Sequence, residues 1–372
     1  MERILVAKLA TLGDLLTATP ALRALRTRYP RAHIAVLTTP GSAPVLTGLD
    51  SVDEVISFDK FAFDHPTDAL GSGRVAARFA ARLRAGRWDG LALLHHLTTP
   101  FGVAKYAALA VASGAPIRAG LENGRGRGFL THPVPDHGYG WQHEVDYGID
   151  VALALGAARP TAPQLEIRPN AEDRAWATAE HARLGGRELV LLVPGSGTFS
   201  TARRWAAERF AEVGRGLFAR HGLRPVALAG TSDEERVLAQ GVAHALGDPR
   251  AIVPPAPSAR ALAALIERCV LVVANDSGPV HLAAAVQTPV VAVFGPTNWR
   301  AWGPYPASAP RNQVVLERVV CQPCIHRGHE FGDPAGCEAR TCLQFVLPDA
   351  VLQAADRAIA AGSPRSALVR AS

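Results

Sequence analysis

The strongest constraint on the fold is a regular alternation of short apolar runs with longer helical patterns, which occurs in each half of the chain. The first series begins with the apolar run 4–9 and the helical pattern 15–28, and it extends to residue 112. A second series begins at residue 189 and extends to residue 294. Strands that alternate with helices are typical of βαβ units, whose parallel strands form one sheet covered by helices. The alternation therefore predicts an α/β protein with two doubly wound, Rossmann-like domains.

The boundary between the domains is predicted from a change of composition near the middle of the chain. A chain of 372 residues is too long for one ordinary core. Its best linker candidate is the Ala- and Pro-rich segment 156–163. The predicted parts are an N-terminal domain over 1–160, a C-terminal domain over 175–345, and a C-terminal helix and tail over 346–372.

Composition and charge narrow the class of protein. Hydrophobic residues make up 48% and charged residues 19%, as in a soluble globular enzyme, and no apolar run approaches the roughly 18 residues that span a bilayer. The first residues lack the pattern of a signal peptide, so we expect a cytoplasmic protein. The net charge of +6 suits an anionic ligand or a membrane surface. Because the arginines are spread along the chain, we expect no nucleic-acid partner.

A polar segment with the sequence NDSGPVHLAAA, residues 275–285, lies between two apolar runs. This pattern predicts a strand, a tight turn and a helix, and ligands of open α/β sheets bind at such junctions, where the helix N-terminus offers unpaired N–H groups. We expect Ser277 to provide a capping oxygen, Gly278 to allow close backbone approach, and Pro279 to lie in the first helical turn. A pyrophosphate would fit this turn. A purely structural, well-capped helix remains the alternative, and His281 by itself is equally compatible with a structural role.

Two more junctions in the second half carry residues suited to a phosphorylated ligand. The first, 194–205, contains Thr198 and Arg203, which can donate hydrogen bonds to phosphate oxygens, although a surface loop would look the same. The second, 230–235, contains Asp233 and Glu234, which could accept from a ribose diol. Acidic residues are also expected in the first turn of any helix, because they complement the helix dipole.

The first half has a junction of its own at Gly13 and Asp14, directly after the first strand. At a helix start Asp14 would stay ionised and could accept a proton, although an ordinary capping residue would also stand there. Arg125 and Arg127 belong to the basic loop GRGRG, residues 124–128, which could hold an anionic acceptor. The chain contains no G-x-G-x-x-G loop, no GxxxxGK[ST] loop and no G-x-S-x-G elbow, which argues against NAD enzymes, phosphate-loop NTPases and α/β-hydrolases.

Four cysteines are concentrated near the C-terminal end. Cys321, Cys324, Cys337 and Cys342 have a spacing compatible with a structural zinc, with disulfides or with a reduced, packed loop. The fifth cysteine, Cys269, is expected in the core.

Several of these motifs together resemble glycosyltransferase family 9, the heptosyltransferases that build the inner core of lipopolysaccharide. The resemblance runs from residue 3 to about residue 343, and its motifs occur in the family's order: RILVAKLATLGDLLTATPALRAL (3–25), IRAGLENGRGRGFLTHPV (117–134), VPGSGTFSTARRW (193–205), VANDSGPVHLAAAVQTPVVAVFGPT (273–297) and a Cys-rich loop. It implies a GT-B fold with two Rossmann-like domains facing a central cleft. It also implies transfer with inversion at the anomeric carbon, with no metal and no cofactor.

The resemblance further assigns roles to individual residues. Asp14 takes the place of the catalytic base, and Arg203 replaces the usual Lys opposite the phosphates, while Ala206 replaces the family's Pro. The implied donor-binding residues are Thr198, Arg203, Asp233, Glu234, Asp276, Ser277, Gly278 and His281. The implied acceptor-binding residues are Gly13, Arg125 and Arg127.

The implied partners are a nucleotide-sugar donor, an ADP-sugar in this family, a glycan or lipid-linked acceptor, and the inner membrane by peripheral contact. Two other functions remain open from the sequence. One is a sugar-nucleotide epimerase of the same two-domain fold, and the other is a non-catalytic protein that binds nucleotide sugars.

Overall fold

The computed structural model describes residues 1–59, 73–126 and 128–362. It contains two compact units. The first comprises the described part of Met1–Glu166 together with Gly328–Phe331, and the second comprises the other described residues from Ile167 onwards.

The first unit is built on a six-stranded sheet in the order β3-β2-β1-β4-β5-β6. Every neighbouring pair of its strands is parallel. The strands are β1 (Arg3–Ala7), β2 (His33–Thr38), β3 (Glu54–Ser57), β4 (Gly90–Leu93), β5 (Ile117–Glu122) and β6 (His132–Pro135). The helices are α1 (Leu12–Leu16), α2 (Thr19–Arg28), α3 (Gly73–Ala85), α4 (Pro100–Ser113) and α5 (Glu144–Ala154). In the central strand β1, the residues from Ile4 to Ala7 are fully buried, as expected for a parallel sheet covered on both faces.

The predicted helix 15–28 is in fact two helices, which meet near Pro20. Helix α1 ends at Leu16, and α2 begins at Thr19 with the proline in its first turn. Proline has no N–H to donate to a preceding turn, so it is tolerated at the start of a helix but not inside one. The apolar run predicted as one strand over 4–9 likewise ends at Ala7, where the chain leaves the sheet.

The second unit repeats the architecture with a sheet in the order β12-β11-β10-β7-β8-β9, again with parallel neighbours. Its strands are β7 (Leu189–Val193), β8 (Arg224–Leu228), β9 (Ile252–Val253), β10 (Cys269–Asn275), β11 (Val290–Val293) and β12 (Asn312–Val315). Its helices are α6 (Ala171–Arg183), α7 (Ala207–His221), α8 (Asp233–Ala245), α9 (Ala259–Ile266), α10 (Gly278–Ala285), α11 (Trp299–Trp302), α12 (Thr341–Gln344) and α13 (Pro348–Ala360). Two short strands, β13 (Ile325–Arg327) and β14 (Glu330–Gly332), follow β12 in the chain.

The last helix, α13, was predicted as part of a separate helix and tail, but it packs within the second unit. It contacts α7 and the strands β10, β11 and β12. Its apolar face, which includes Val351, Leu352 and Ala355, belongs to the hydrophobic core of that unit. Among the described residues, no helix combines the length and the apolar character needed to cross a membrane.

Candidate functional site

In both units the strands run in one direction, so the loops that follow them meet at one edge of each sheet. In the second unit Asn275, at the end of β10, joins two of these loops. Its Oδ1 accepts a hydrogen bond from Trp205 N at 3.0 Å, and its Nδ2 donates to Pro194 O at 2.8 Å. The side chain is fully buried. The glycine-containing loop after β7 and the turn after β10 are therefore held together by one amide.

Arg203 and Asp276 form the most buried ion pair of this edge. Arg203 Nη1 lies 3.4 Å from Asp276 Oδ2, and the two side chains are only 12% and 8% exposed. Thr297 Oγ1 donates to the same carboxylate oxygen, while Arg203 Nη2 donates to Ser196 O. The guanidinium also lies over the ring of Phe199, 5.2 Å from its centroid. These contacts fix the plane of the guanidinium. Asp276 faces a cation, and its carboxylate helps to orient the side chain of Arg203.

The turn that precedes α10 agrees with the sequence in part. Gly278 is the first residue of the helix and Pro279 lies in its first turn, which confirms that prediction. The predicted capping role of Ser277 is wrong. Its Oγ donates to Asn275 O at 2.9 Å and makes no capping hydrogen bond to the helix. His281, one turn further, is buried with 4% of its surface exposed.

The three acidic residues at the start of α8 have different surroundings. Asp233 is 93% exposed and pairs with Arg236, and Glu234 is 70% exposed and pairs with Arg204 at 3.0 Å. Glu235, by contrast, is buried, and its Oε1 accepts a hydrogen bond from Gly197 N at 2.7 Å.

Glycines make room for the buried carboxylate of Glu235. A Cβ added at Gly195 would lie 2.4 Å from Glu235 Oε1, and one added at Gly230 would lie 1.9 Å from Glu235 Oε2. Glu235 is not among the residues predicted from the sequence, which were its two neighbours Asp233 and Glu234. The available signal was the spacing Ser-x-x-Glu of Ser232 and Glu235, which is typical of a helix start. Thr198, in the loop that Glu235 contacts, is exposed.

In the first unit, Asp14 is the third residue of α1, two positions inside the helix start. Its Oδ2 accepts hydrogen bonds from Thr11 Oγ1 at 2.8 Å and from Thr11 N at 3.2 Å, and the second of these belongs to a capping box between Thr11 and Asp14. The carboxylate is half-buried, and the preceding Gly13 is buried. Asp14 is thus held in a defined orientation at the carboxyl edge of the first sheet, beside the end of β1.

The loop with the predicted acceptor-binding arginines lies at the same edge, after β5. Arg125 is exposed, and its Nη1 donates to Leu97 O at 3.0 Å and to Thr98 O at 2.9 Å. The side chain of Asn123 also donates to Leu97 O, at 3.1 Å. Arg125 is therefore tied to the segment that follows β4. Arg127 lies outside the described residues.

A cluster of buried ionisable residues, which the sequence analysis did not identify, occupies the same edge. His96 Nδ1 lies 3.0 Å from Asp136 Oδ2, and His96 Nε2 lies 2.9 Å from Glu144 Oε1. Burial lowers the pKa of His96, but the charge of Glu144 and the hydrogen bonds to both carboxylates more than offset it and raise the pKa to about 9. Although burial opposes their ionisation, His96 lowers the pKa of both Asp136 and Glu144. We call these three residues the His96 cluster.

The cysteines are free thiols. Cys269 is buried in the second unit, as expected, and burial raises its pKa to about 12. In the Cys-rich loop, burial and then the neighbouring thiols raise the pKa of Cys342 to about 11. Over residues 1–59, 73–126 and 128–362, the structure places no three His, Cys, Asp or Glu side chains where they could hold one metal ion.

Two parallel six-stranded units, each with its polar loops at the carboxyl edge of the sheet, define a glycosyltransferase fold of the GT-B type. The solved structure of the E. coli ADP-heptose lps heptosyltransferase II has 21% sequence identity to this chain and a TM-score of 0.72. The match covers 98% of that chain and 96% of this one. A family 9 glycosyltransferase from Veillonella parvula is 26% identical with a TM-score of 0.73, over 97% of its chain and 96% of this one.

Sequence comparison gives the family. The model of glycosyltransferase family 9 (heptosyltransferase) matches residues 77–333, and the chain belongs to this family. Lipopolysaccharide heptosyltransferase 2 of Salmonella typhimurium is 25% identical over 307 residues, which are 80% of this chain and 83% of that protein. The resemblance seen in the sequence and the predicted fold class are thereby confirmed, and the protein is a glycosyltransferase.

Proposed function

We propose that this glycosyltransferase transfers a heptose from ADP-heptose to a hydroxyl of a lipopolysaccharide core sugar, with inversion of the anomeric carbon and without a metal ion. The observation that carries the proposal is the Arg203–Asp276 pair. An arginine fork with a fixed plane, next to the turn that begins α10, is suited to two oxygens of a diphosphate. The names of the similar proteins, an ADP-heptose lps heptosyltransferase and a lipopolysaccharide heptosyltransferase, support ADP-heptose as the donor and lipopolysaccharide as the acceptor.

In the proposed reaction Asp14 accepts the proton of the acceptor hydroxyl as its oxygen attacks the anomeric carbon. The bond from that carbon to the diphosphate oxygen breaks on the opposite face, and ADP leaves with the bonding electrons. Arg203 and the N–H groups at the start of α10, beside Ser277 and Gly278, stabilise the charge that grows on the diphosphate. These groups supply the stabilisation that a metal ion provides in other transferases, so the proposed reaction requires none.

The other predicted donor residues have subsidiary roles in this proposal. Thr198 donates to a phosphate oxygen, and His281 does the same from α10. Asp233 or Glu234 accepts from the ribose, and Glu235 holds the loop of Thr198 in place through Gly197. On the acceptor side, Arg125 and Arg127 contact anionic groups, and Gly13 brings the backbone close to the acceptor.

We also propose a cytoplasmic protein that contacts the inner membrane through helix α3. The helix is exposed over most of its length and carries four arginines, Arg74, Arg78, Arg82 and Arg84, with no acidic residue over 73–85. The pair of Arg82 with Glu54, at 3.6 Å, is largely exposed and contributes little. A basic helix of this kind attracts anionic lipid headgroups.

The proposed function is tested by incubating the purified protein with ADP-heptose and a heptose-accepting core oligosaccharide, with and without EDTA, and determining the anomeric configuration of the product by NMR. Inverted product that forms equally with EDTA supports the proposal. Retained configuration, or activity that EDTA removes and added metal restores, contradicts it. Donor turnover without acceptor, unaffected by Asp14→Asn, would instead favour the epimerase, and nucleotide binding without any turnover would favour the non-catalytic binding protein.

A further inference from the structure

Trp141, between β6 and α5 of the first unit, exposes a large aromatic surface. All six tryptophans of the chain lie in the described part of the structure, and Trp141, at 71% exposure, is the only exposed one there. Tryptophan is highly buried on average, because its ring carries a large apolar area. The position of this indole is therefore not explained by packing of the core. We call residues 136–141 the Trp loop.

The Trp loop is held in place by hydrogen bonds from three directions. Asp136 Oδ1 accepts from Gly138 N at 2.8 Å, and Tyr147 Oη donates to Gly138 O at 2.8 Å. Tyr139 N donates to Gly328 O at 2.7 Å. The backbone that leads to the indole is thus fixed by side chains and by a second segment of the same unit.

Glycines and a second ring complete the support of the indole. Gly138 and Gly140 have φ angles of +88° and +80°, a region that favours glycine, and a Cβ at Gly138 would lie 2.7 Å from the backbone of Gly328. The ring of His137 lies 5.0 Å from that of Trp141 and is tilted by 41° to it. An aromatic side chain on a fixed loop loses little conformational entropy when a ligand binds.

The Trp loop lies at the same edge of the first sheet as the loop that carries Asp14, because both follow strands of one parallel sheet. The segment after β4 connects them. Leu9 N donates to His95 Nε2 at 2.8 Å, and the ring of the next residue, His96, lies 4.3 Å from that of Tyr139. The edge that would receive the reacting hydroxyl of a glycan thus also carries the exposed indole.

The chemistry of the indole and its neighbours suits a sugar. A sugar ring has faces formed largely by C–H groups, which an aromatic ring can cover while the hydroxyls stay bonded to polar groups. Polar side chains flank the indole: His137 is exposed, and Gln142 is half-buried with its Nε2 donating to Asp150 Oδ2 at 2.7 Å.

A lipid surface matches this part of the chain less well. Anionic headgroups attract basic residues, and aromatic residues at a membrane surface act together with them. Residues 136–143, which contain the Trp loop, include no Lys and no Arg. A neutral, hydroxyl-rich ligand is therefore favoured over an anionic bilayer.

We propose that Trp141 is a substrate-binding residue of the acceptor site, and that its indole stacks on the C–H face of a sugar ring of the glycan acceptor. The assignment of this sugar to the acceptor rests on the proposed function. The stacking itself does not, because it can be measured by binding alone. The His96 cluster contributes through Asp136, which bonds both His96 and the backbone of the Trp loop.

The binding test uses the full-length protein labelled with [indole-15N]tryptophan, in which the signal of Trp141 is assigned with Trp141→Phe. A heptose-accepting core oligosaccharide, freed of its lipid, is titrated into one sample and phosphatidylglycerol vesicles into another. The oligosaccharide should shift the Trp141 signal saturably, and Trp141→Ala should bind it about tenfold more weakly. A signal that the oligosaccharide leaves unchanged overturns the inference. So does a signal that responds only to vesicles, which would assign the indole to the membrane.

Kinetics distinguish a contact with the acceptor from a general loss of structure. Trp141→Ala should raise the KM for the oligosaccharide about tenfold, with kcat and the KM for ADP-heptose close to the wild type, because the contact is present before and during the reaction. Trp141→Phe keeps a ring and should recover most of this loss. Phe218→Ala removes an aromatic ring of 55% exposure from α7 and is the control, with no change expected.

The outcomes separate the inference from the proposed function. An acceptor KM that is equal in Trp141→Ala and the wild type overturns the inference. Should the Ala variant fail to fold, the wild-type signal and Trp141→Phe still decide. Saturable binding of the oligosaccharide at Trp141 without any transfer from ADP-heptose would instead overturn the proposed function and leave the sugar-binding role of Trp141 intact.

Discussion

Glu235 Oε1 accepts a hydrogen bond from Gly197 N at 2.7 Å, and this contact joins the start of α8 to the loop after β7. Glycine at positions 195 and 230 leaves space for this side chain, because a Cβ at either position would come too close to the carboxylate as it lies here. The acid that matters for the shape of the candidate donor site is thus the buried member of three consecutive acidic residues.

Replacing Glu235 by Ala should loosen this loop, whereas Glu235→Gln keeps an oxygen that can accept from Gly197. We expect Glu235→Ala to lower the free energy of unfolding by about 1–2 kcal/mol, the usual net value of such a hydrogen bond. It should also weaken ADP binding in calorimetry, and Glu235→Gln should be close to the wild type in both measurements. Glu212→Ala, at an exposed position of α7, is the control. Equal ADP affinity in the Ala and Gln variants would contradict this prediction.

The Arg203–Asp276 pair should be coupled in catalysis. Arg203→Lys keeps the charge but loses the planar fork, so we expect kcat/KM to fall on the order of 100-fold, as when one donor to a transition-state anion is removed. Asp276→Asn should lower kcat/KM when Arg203 is present and change it little in the Arg203→Lys variant. The reason is that Asp276 acts through the orientation of the guanidinium, which the lysine lacks. Strictly additive losses in this double-mutant cycle would argue against that route.

Asp14→Asn should abolish most transfer without unfolding the protein. The amide oxygen can still accept from Thr11, so the capping box is largely retained, while general-base catalysis worth about 100-fold or more is lost. Steady-state kinetics and thermal unfolding measure the two effects separately.

A control for Asp14 exists in the second unit. Asp173 is the corresponding capping-box residue of α6 and also pairs with Arg260 at 3.2 Å. Asp173→Asn should therefore lower stability more than Asp14→Asn does and yet retain transfer. Comparable activity losses in both variants would mean that the capping box, and not a base, is what the reaction needs.

The His96 cluster also predicts how stability depends on pH. The pKa of His96 is raised from 6.5 to about 9, so the folded protein keeps a proton that the unfolded chain releases. Its contribution is complete below pH 6.5 and is lost as the pH rises through 9. Over this interval the free energy of unfolding should fall by up to about 1.4 kcal/mol per pH unit. Asp136 and Glu144, whose pKa values are lowered, lose their contribution at the acidic end instead.

Denaturant unfolding at a series of pH values measures this slope. The double variant His96→Gln/Glu144→Gln lacks the group that holds the proton and should show a smaller slope between pH 6.5 and 9. His132→Gln, at an exposed position of β6, is the control and should keep the slope of the wild type. If the wild type, the double variant and His132→Gln all show the same slope, the proton is held by a group other than His96.

Helix α3 should determine binding to anionic lipids. Arg74→Glu/Arg78→Glu should weaken binding to vesicles that contain phosphatidylglycerol by at least about tenfold, because each basic residue near a charged bilayer contributes on the order of 1 kcal/mol. Binding to purely phosphatidylcholine vesicles should be weak for every variant. Arg187→Glu/Arg250→Glu changes the net charge equally at exposed positions of the second unit and is the control. Equal losses in both double variants would mean that α3 has no special role.

The α/β class, the two domains and the positions of the polar junctions could be predicted from the sequence, because these depend on local periodicity and on Gly and Pro. Pro279 lies where its missing N–H predicts, in the first turn of α10. The resemblance to family 9 could also be recognised from the motifs, since each is a continuous segment.

Which polar groups meet could not be predicted, because it depends on how distant segments fold together. Ser277 could have capped α10, but its hydroxyl bonds Asn275 O instead, and nothing in the local sequence distinguishes these two outcomes. Glu235 is buried and contacts a glycine 38 residues away, whereas Asp233, two residues earlier, is exposed. His96, Asp136 and Glu144 come from three segments whose meeting depends on the strand order β4-β5-β6. A parallel sheet gathers the carboxyl ends of strands that are distant in the chain, so the partners and charge states of such residues exist only once the sheet has formed.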